Sequence, residues 1–231
     1  MLPQATDAWP RVVFAVVAAD DGEVAPTAMT LVQESPRENY RIEYLMSLTP
    51  SVTLPDLAPS SQGATRLPPE QTLVSRAPAD LAAQYADILL NGDESEFSDA
   101  FVSEGDSLRE QFGRAYKDER EQNLDDDNSD ISWQNEEASG DVVALATNDA
   151  GALVTTSINE VETITPREDF VLEPEADDSS VFTLLGEDST TAGIVATYTI
   201  ELLFYVPPSS ADDQRVRLLG WQQGLISAEE Q

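Results

Sequence analysis

The run Ile194-Val195-Ala196-Thr197-Tyr198-Thr199-Ile200-Glu201-Leu202-Leu203-Phe204-Tyr205-Val206 alternates. Ile194, Ala196, Tyr198, Ile200, Leu202, Phe204 and Val206 share one face, and Thr197, Thr199 and Glu201 sit between them. A period of two marks a strand with one face on a core, and Pro207-Pro208 ends it. Arg215 to Trp221 reads as its partner, with Gly220 suited to a bulge. Upstream, Asp141–Thr147 and Ala152–Ile164 flank Asn148-Asp149-Ala150-Gly151, a hairpin signal. Val181–Leu185 reads as a shorter strand.

Helices precede this sheet. Pro78 suits a first helical position, and Leu81, Tyr85, Ile88 and Leu89 form an apolar stripe that stops at Asn91-Gly92. A short helix is expected from Glu94 to Phe101. Ser107-Leu108-Arg109-Glu110 fits a capping box, and Leu108, Phe112 and Tyr116 at fourfold spacing predict one helix to about Gln122. Helices followed by a long antiparallel sheet make an α+β fold in which helices pack on a curved sheet. The nuclear-transport-factor-like and cystatin-like cones are the expected shapes for residues 77–231.

A smaller β-rich unit is expected at residues 1–48. Val12 to Ala19 is apolar on both faces and is bounded by Pro10 and Asp20-Asp21-Gly22, which favours a buried strand over a signal sequence. Ala28–Gln33 and Tyr40–Leu48 supply two more strands. No helix within 1–48 covers them. That unit is therefore expected to be an incomplete copy, docked on the second unit or self-associating through residues 11–19. Residues 49–76 carry Pro50, Pro55, Pro59, Pro68 and Pro69 among small polar residues and read as an extended linker.

The chain has 231 residues, 44 acids against 12 bases, and a formal net charge of −32. It has neither histidine nor cysteine, and Lys117 is its single lysine. That balance repels nucleic acid and anionic lipid, and the missing side chains remove thiolate, imidazole and Ser-His-Asp chemistry. No stretch reaches the ~20 apolar residues of a membrane span. Two settings fit the acidity: export from a high-GC bacterium, or the cytoplasm of a halophile.

Four blocks carry a resemblance. They are Trp9-Pro10-Arg11, Gln33-Glu34-Ser35-Pro36-Arg37-Glu38-Asn39-Tyr40, Pro78-Ala79-Asp80-Leu81-Ala82 through Asn91-Gly92-Asp93, and Glu201-Leu202-Leu203-Phe204-Tyr205-Val206-Pro207. Together they resemble an uncharacterised family of actinobacterial secreted proteins and lipoproteins. The resemblance implies export and attachment to the envelope through a lipidated cysteine. It brings no active-site residues with it, and this chain holds no cysteine.

Three constellations are candidates for a site. Asp125, Asp127, Ser129 and Glu136 stand at positions 1, 3, 5 and 12 of a calcium-loop register, but Asp130 occupies position 6, where such a loop needs glycine. A solvated acidic loop is the plainer reading. Tyr85, Trp133, Tyr198 and Trp221 are the aromatics placed to line a ligand pocket at the mouth of a cone. Glu160 and Glu162 share a strand face, as exposed carboxylates commonly do, and with Glu201 they could form a glycosidase pair. Arg109, Arg114 and Arg120 are interleaved with acids and read as helix-surface pairing.

The expected function is a non-catalytic binding or scaffold protein, secreted or held in the cell envelope, with an envelope protein or small ligand as partner and no cofactor. Two alternatives stand beside it. One is a small cone-fold enzyme using carboxylates and tyrosines on a hydrophobic ligand. The other is a calcium-stabilised extracellular module.

Overall fold

A computed structural model describes residues 1–18, 25–50, 52–126, 129–138, 140–168, 170–174 and 179–231, with the backbone alone at 125, 126 and 137. The fold is α+β, built on one large antiparallel sheet. Its strands are β1 (Leu2–Pro3), β2 (Arg11–Val17), β3 (Thr27–Gln33), β4 (Arg41–Leu48), β5 (Arg66–Leu67), β6 (Ser129–Glu137), β7 (Val143–Ala146), β8 (Ala152–Pro166), β9 (Ile194–Val206) and β10 (Arg217–Glu230). The order across the sheet is β1-β2-β3-β4-β10-β9-β8-β7-β5, and β6 pairs with the far half of β8. Four helices are described: α1 (Leu81–Asn91), α2 (Ser107–Phe112), α3 (Arg114–Asp126) and α4 (Ser179–Leu185).

The sheet curls until its ends meet. Gln4, just past β1, forms a parallel bridge with Ala64, just before β5. The Ala5 amide donates to Ala64 O at 2.7 Å, and the Ala64 amide donates to Pro3 O at 2.8 Å. Gly63 sits at this seam with φ +73°, and a Cβ there would meet Pro3 O at 2.7 Å, so only glycine fits. The curled sheet wraps a core made of Leu2, Phe14, Tyr44, Met46, Leu153 and Leu203 with their neighbours. Val52, Leu54 and Leu57 of the proline-rich stretch pack against the same core, and Arg66–Leu67 pairs with β7. The expected boundaries at 48 and 76 thus fall within one continuous sheet and its packing.

The even-numbered face of β9 carries the other large core. Ile200, Leu202, Phe204 and Val206 are buried there against Leu81, Tyr85, Ile88, Leu89 and Leu108. Tyr85, Phe101 and Phe204 form a ring triangle with centroids 5.2–5.8 Å apart. A third, smaller cluster joins Ile164, Ile194 and Ala196 at the far end of β8 and β9 to Val181 and Phe182 of α4.

Several local expectations change. Val181–Leu185 lies in helix α4, because Val181, Phe182 and Leu185 reach the third cluster together at helical spacing. The segment 94–101 forms two 3₁₀ turns, Gly92–Glu94 and Ser98–Ala100. The helix expected from Ser107 breaks at Gly113, where a Cβ would lie 2.4 Å from Arg109 O. Its cap is Asp106, whose Oδ1 accepts from the Arg109 amide at 3.1 Å, and not Ser107. The partner of β9 runs on to Glu230, with the register shift between Leu218 and Gly220.

β4 joins β10 only at Leu48↔Gly220 and Ser47↔Trp221. Beyond that point the Leu45 amide donates to the Glu201 carboxylate at 2.7 Å. Burial raises the pKa of Glu201, a nearby Glu43 charge adds to it, and the Leu45 amide opposes it. The folded state therefore favours the neutral carboxyl. Its contribution to stability is complete below the ordinary glutamate range near ~4.3 and is lost as pH rises through the higher folded value. Glu201→Gln, followed by chemical denaturation, should gain stability relative to the parent between about pH 4 and 7. A pH-independent difference would contradict this.

Candidate functional site

Glu160 and Glu162 lie on β8, on the same face as the buried Val154 and Ile158. They are not exposed: Glu160 is 4% and Glu162 7% accessible. The helix α3 crosses that face and lowers two cations onto them. Lys117 Nζ is 2.8 Å from Glu160 Oε2, and Arg120 Nη2 is 3.3 Å from Glu162 Oε1. Lys117 and Arg120 are three apart on a helix, and Glu160 and Glu162 two apart on a strand, so both pairs meet at one crossing.

Lys117 is fully buried. It also donates to Phe112 O at 2.7 Å, satisfying a carbonyl left open at the end of α2. The Trp133 ring centroid is 5.6 Å from Nζ, and Trp133 Nε1 donates to Glu162 Oε2 at 3.0 Å. Asn135, two residues along β6, donates to Ala86 O of α1 at 3.0 Å. A polar stripe thus separates the helix-covered core from the third cluster.

The neighbouring arginines differ from the expected surface pairing. Arg114 does pair with Asp118 and Glu121 at the surface. Arg109 turns inward to Asp106 at 3.1 Å, and Arg120 inward to Glu162. Asp106 also accepts the Tyr85 hydroxyl at 2.8 Å. Burial raises the Asp106 pKa, while Tyr85 and Arg109 oppose the shift; burial also pushes the Tyr85 hydroxyl well up.

Beside the stripe, between α3, α4 and residues 170–174, lies a cleft of about 640 Å³. Ile164, Ile194 and Ala196 form its floor, and Leu172 and Phe182 a wall. The Arg120–Glu162 pair closes one side, and Glu119 and Glu173 also line it. Its volume lies in the ordinary range for small-molecule sites.

The four aromatics do not gather around this cleft. Tyr85 belongs to the core under α1. Trp221 packs partly buried on Phe112 at 5.6 Å, with Nε1 donating to Ser107 Oγ at 2.9 Å. Trp133 is buried beside Glu162, and Tyr198 is half-buried opposite Glu160 on β9. The calcium-register residues do not converge either. Asp127 and the side chain of Asp125 lie outside the described residues. Ser129 begins β6 and Glu136 sits seven residues along the same strand, about 23 Å away at the usual rise. Asp130 is held by Arg167, which keeps its carboxyl below its usual range. Among the described residues, no group of three or more acids is placed to hold a metal ion.

One family model, described as a domain of unknown function (DUF8094), matches residues 1–230. The chain belongs to the DUF8094 family. No curated protein and no solved structure matches it. Among the described residues, no helix is long and apolar enough to cross a membrane.

Removing one member of a buried ion pair leaves the other charge stranded, which costs about 3–5 kcal/mol. Lys117→Met and Glu160→Leu should each cost that much in urea unfolding. The double variant should recover all but about 1–3 kcal/mol, the cost of the unsatisfied Phe112 carbonyl. Additive losses in the double variant would show that the pair is not coupled.

Proposed function

We propose that this protein is a non-catalytic binding protein of the cell envelope or extracellular space, of the actinobacterial secreted and lipoprotein type its sequence blocks resemble. Its ligand is a small apolar molecule held in the cleft between α3 and α4. In this reading the helices on the curved sheet form a cone of the nuclear-transport-factor-like or cystatin-like kind, and the cleft is its mouth.

The observation that carries the reading is the pairing of polar groups beside an apolar floor. Arg120 and Glu162 hold each other, and Glu162 also accepts from Trp133. Ile164, Ile194, Ala196 and Phe182 present hydrocarbon. Recognition then rests on apolar burial, worth about 25 cal/mol per Å² before the costs of association. The buried cations already serve carboxylates, which supports binding over acid-base turnover. The −32 charge supports a ligand other than nucleic acid.

Titration with the neutral fluorophore N-phenyl-1-naphthylamine tests the reading. Saturable binding with a dissociation constant of roughly 1–100 µM is expected. Ala196→Phe fills the floor and should weaken binding at least about tenfold, some 1.4 kcal/mol, while the far-ultraviolet circular dichroism is unchanged. No saturation, or undiminished binding in a folded Ala196→Phe variant, would overturn it.

A further inference from the structure

The layer β2–β3–β4 has two faces. Phe14, Tyr44 and Met46 point into the curled sheet's core. The other face is also apolar, and no described element covers it. The register sets Val13, Leu31 and Ile42 in one cross-strand row and Ala15, Met29 and Leu45 in the next. Ile42 is 54%, Leu45 43% and Val17, at the end of β2, 55% accessible. None of the residues in these rows is charged, in a chain where 24% are.

This side of the molecule is also nearly neutral. The described residues 1–18 and 25–48 carry Asp7, Glu34, Glu38 and Glu43 against Arg11, Arg37 and Arg41, a net charge of −1 in a chain of −32. The acid excess is concentrated in the rest of the chain. A basic partner would be drawn there by the field and not to this face. The face suits an uncharged apolar surface of matching pleat.

We propose that the outer face of β2–β3–β4 docks a second copy of this chain, two such layers stacking face to face about a twofold axis. A twofold makes one patch its own complement. It also leaves both acidic bodies on the outside of the pair, where water and counterions screen them. Stacked sheets pack about 10 Å apart with side chains interleaved, as these uncharged rows allow. The face measures roughly 14 by 23 Å from strand spacing and rise. That is well below the ~800 Å² per partner of a standard interface, so the dimer is weak. Salt strengthens it, because screening relieves the repulsion between two acidic bodies. This inference does not depend on the cleft.

Sedimentation velocity from about 5 to 500 µM, at ~0.05 M and ~0.5 M sodium chloride, tests it. A monomer–dimer equilibrium that shifts toward dimer with concentration and with salt is expected. Ile42→Glu and Leu45→Glu should each weaken it at least about tenfold, and Ile42→Thr, which keeps the branched shape, by less. Leu184→Glu, at an exposed site on α4, should leave it unchanged. A monomer at every concentration and salt would overturn the proposal. So would a dimer that survives Ile42→Thr and Leu45→Glu in variants whose circular dichroism matches the parent.

Discussion

The buried contact between Lys117 and Glu160 is the constraint on which the helical side of this molecule depends. An isolated ammonium inside a protein is far too costly to persist, so the helix bearing it must settle where a carboxylate waits. That fixes α3 across β8 at one place. The same Nζ closes the end of α2 through Phe112 O, which ties the break at Gly113 to the crossing. One turn further along, Arg120 falls on Glu162 and forms a side of the cleft. A pair of this kind adds little net stability, since hydrocarbon of the same shape would serve as well. What it supplies is register: sliding α3 by one turn would strand both cations over Ile158 or Ile164.

The long strands carry the second constraint, because they are walls of two different rooms. Near Val206, β9 presents Phe204 to the helices and Leu203 to the core of the curled sheet, so it is apolar on both sides. Near Ile194 the odd positions are Thr197 and Thr199, beyond the reach of the β2–β4 layer, and only the even face is buried fully. The change in character along one strand records where the overlying layer ends. The proline-rich stretch then carries the chain from β4 round to β5, anchored by Val52, Leu54 and Leu57, and brings Ala64 to the first strand.

Much of this was legible in the residues. The alternation at 194–206, the stripe Leu81, Tyr85, Ile88 and Leu89, the hairpin around Asn148-Asp149-Ala150-Gly151 and the three amino-terminal strands all appear where pattern places them. These features are local, and local periodicity reports them. The crossing was not legible, because Arg120 and Glu162 are 42 residues apart and no period links them. A clue was present nonetheless. Glu160 and Glu162 continue the face of Val154 and Ile158, and a carboxylate on a core face calls for a buried cation. A single lysine among twelve basic residues points to the same place. Likewise Val52, Leu54 and Leu57 alternate within the prolines, and that apolar spacing marks a packed segment over a free one. The aromatic residues misled for a general reason: Tyr85 and Trp221 fill cores, where large rings gain most from burial.

Because Lys117 is the only lysine, its burial can be read chemically without assignment. Acylation with a succinimidyl ester, followed by mass spectrometry of the peptide containing Lys117, measures how often that amine meets solvent. Burial against Glu160 predicts that Lys117 stays unmodified in the native protein and reacts only at the rate of global unfolding, accelerating with urea in step with loss of structure. Modification of Lys117 in native buffer at the rate of an exposed lysine would contradict the account.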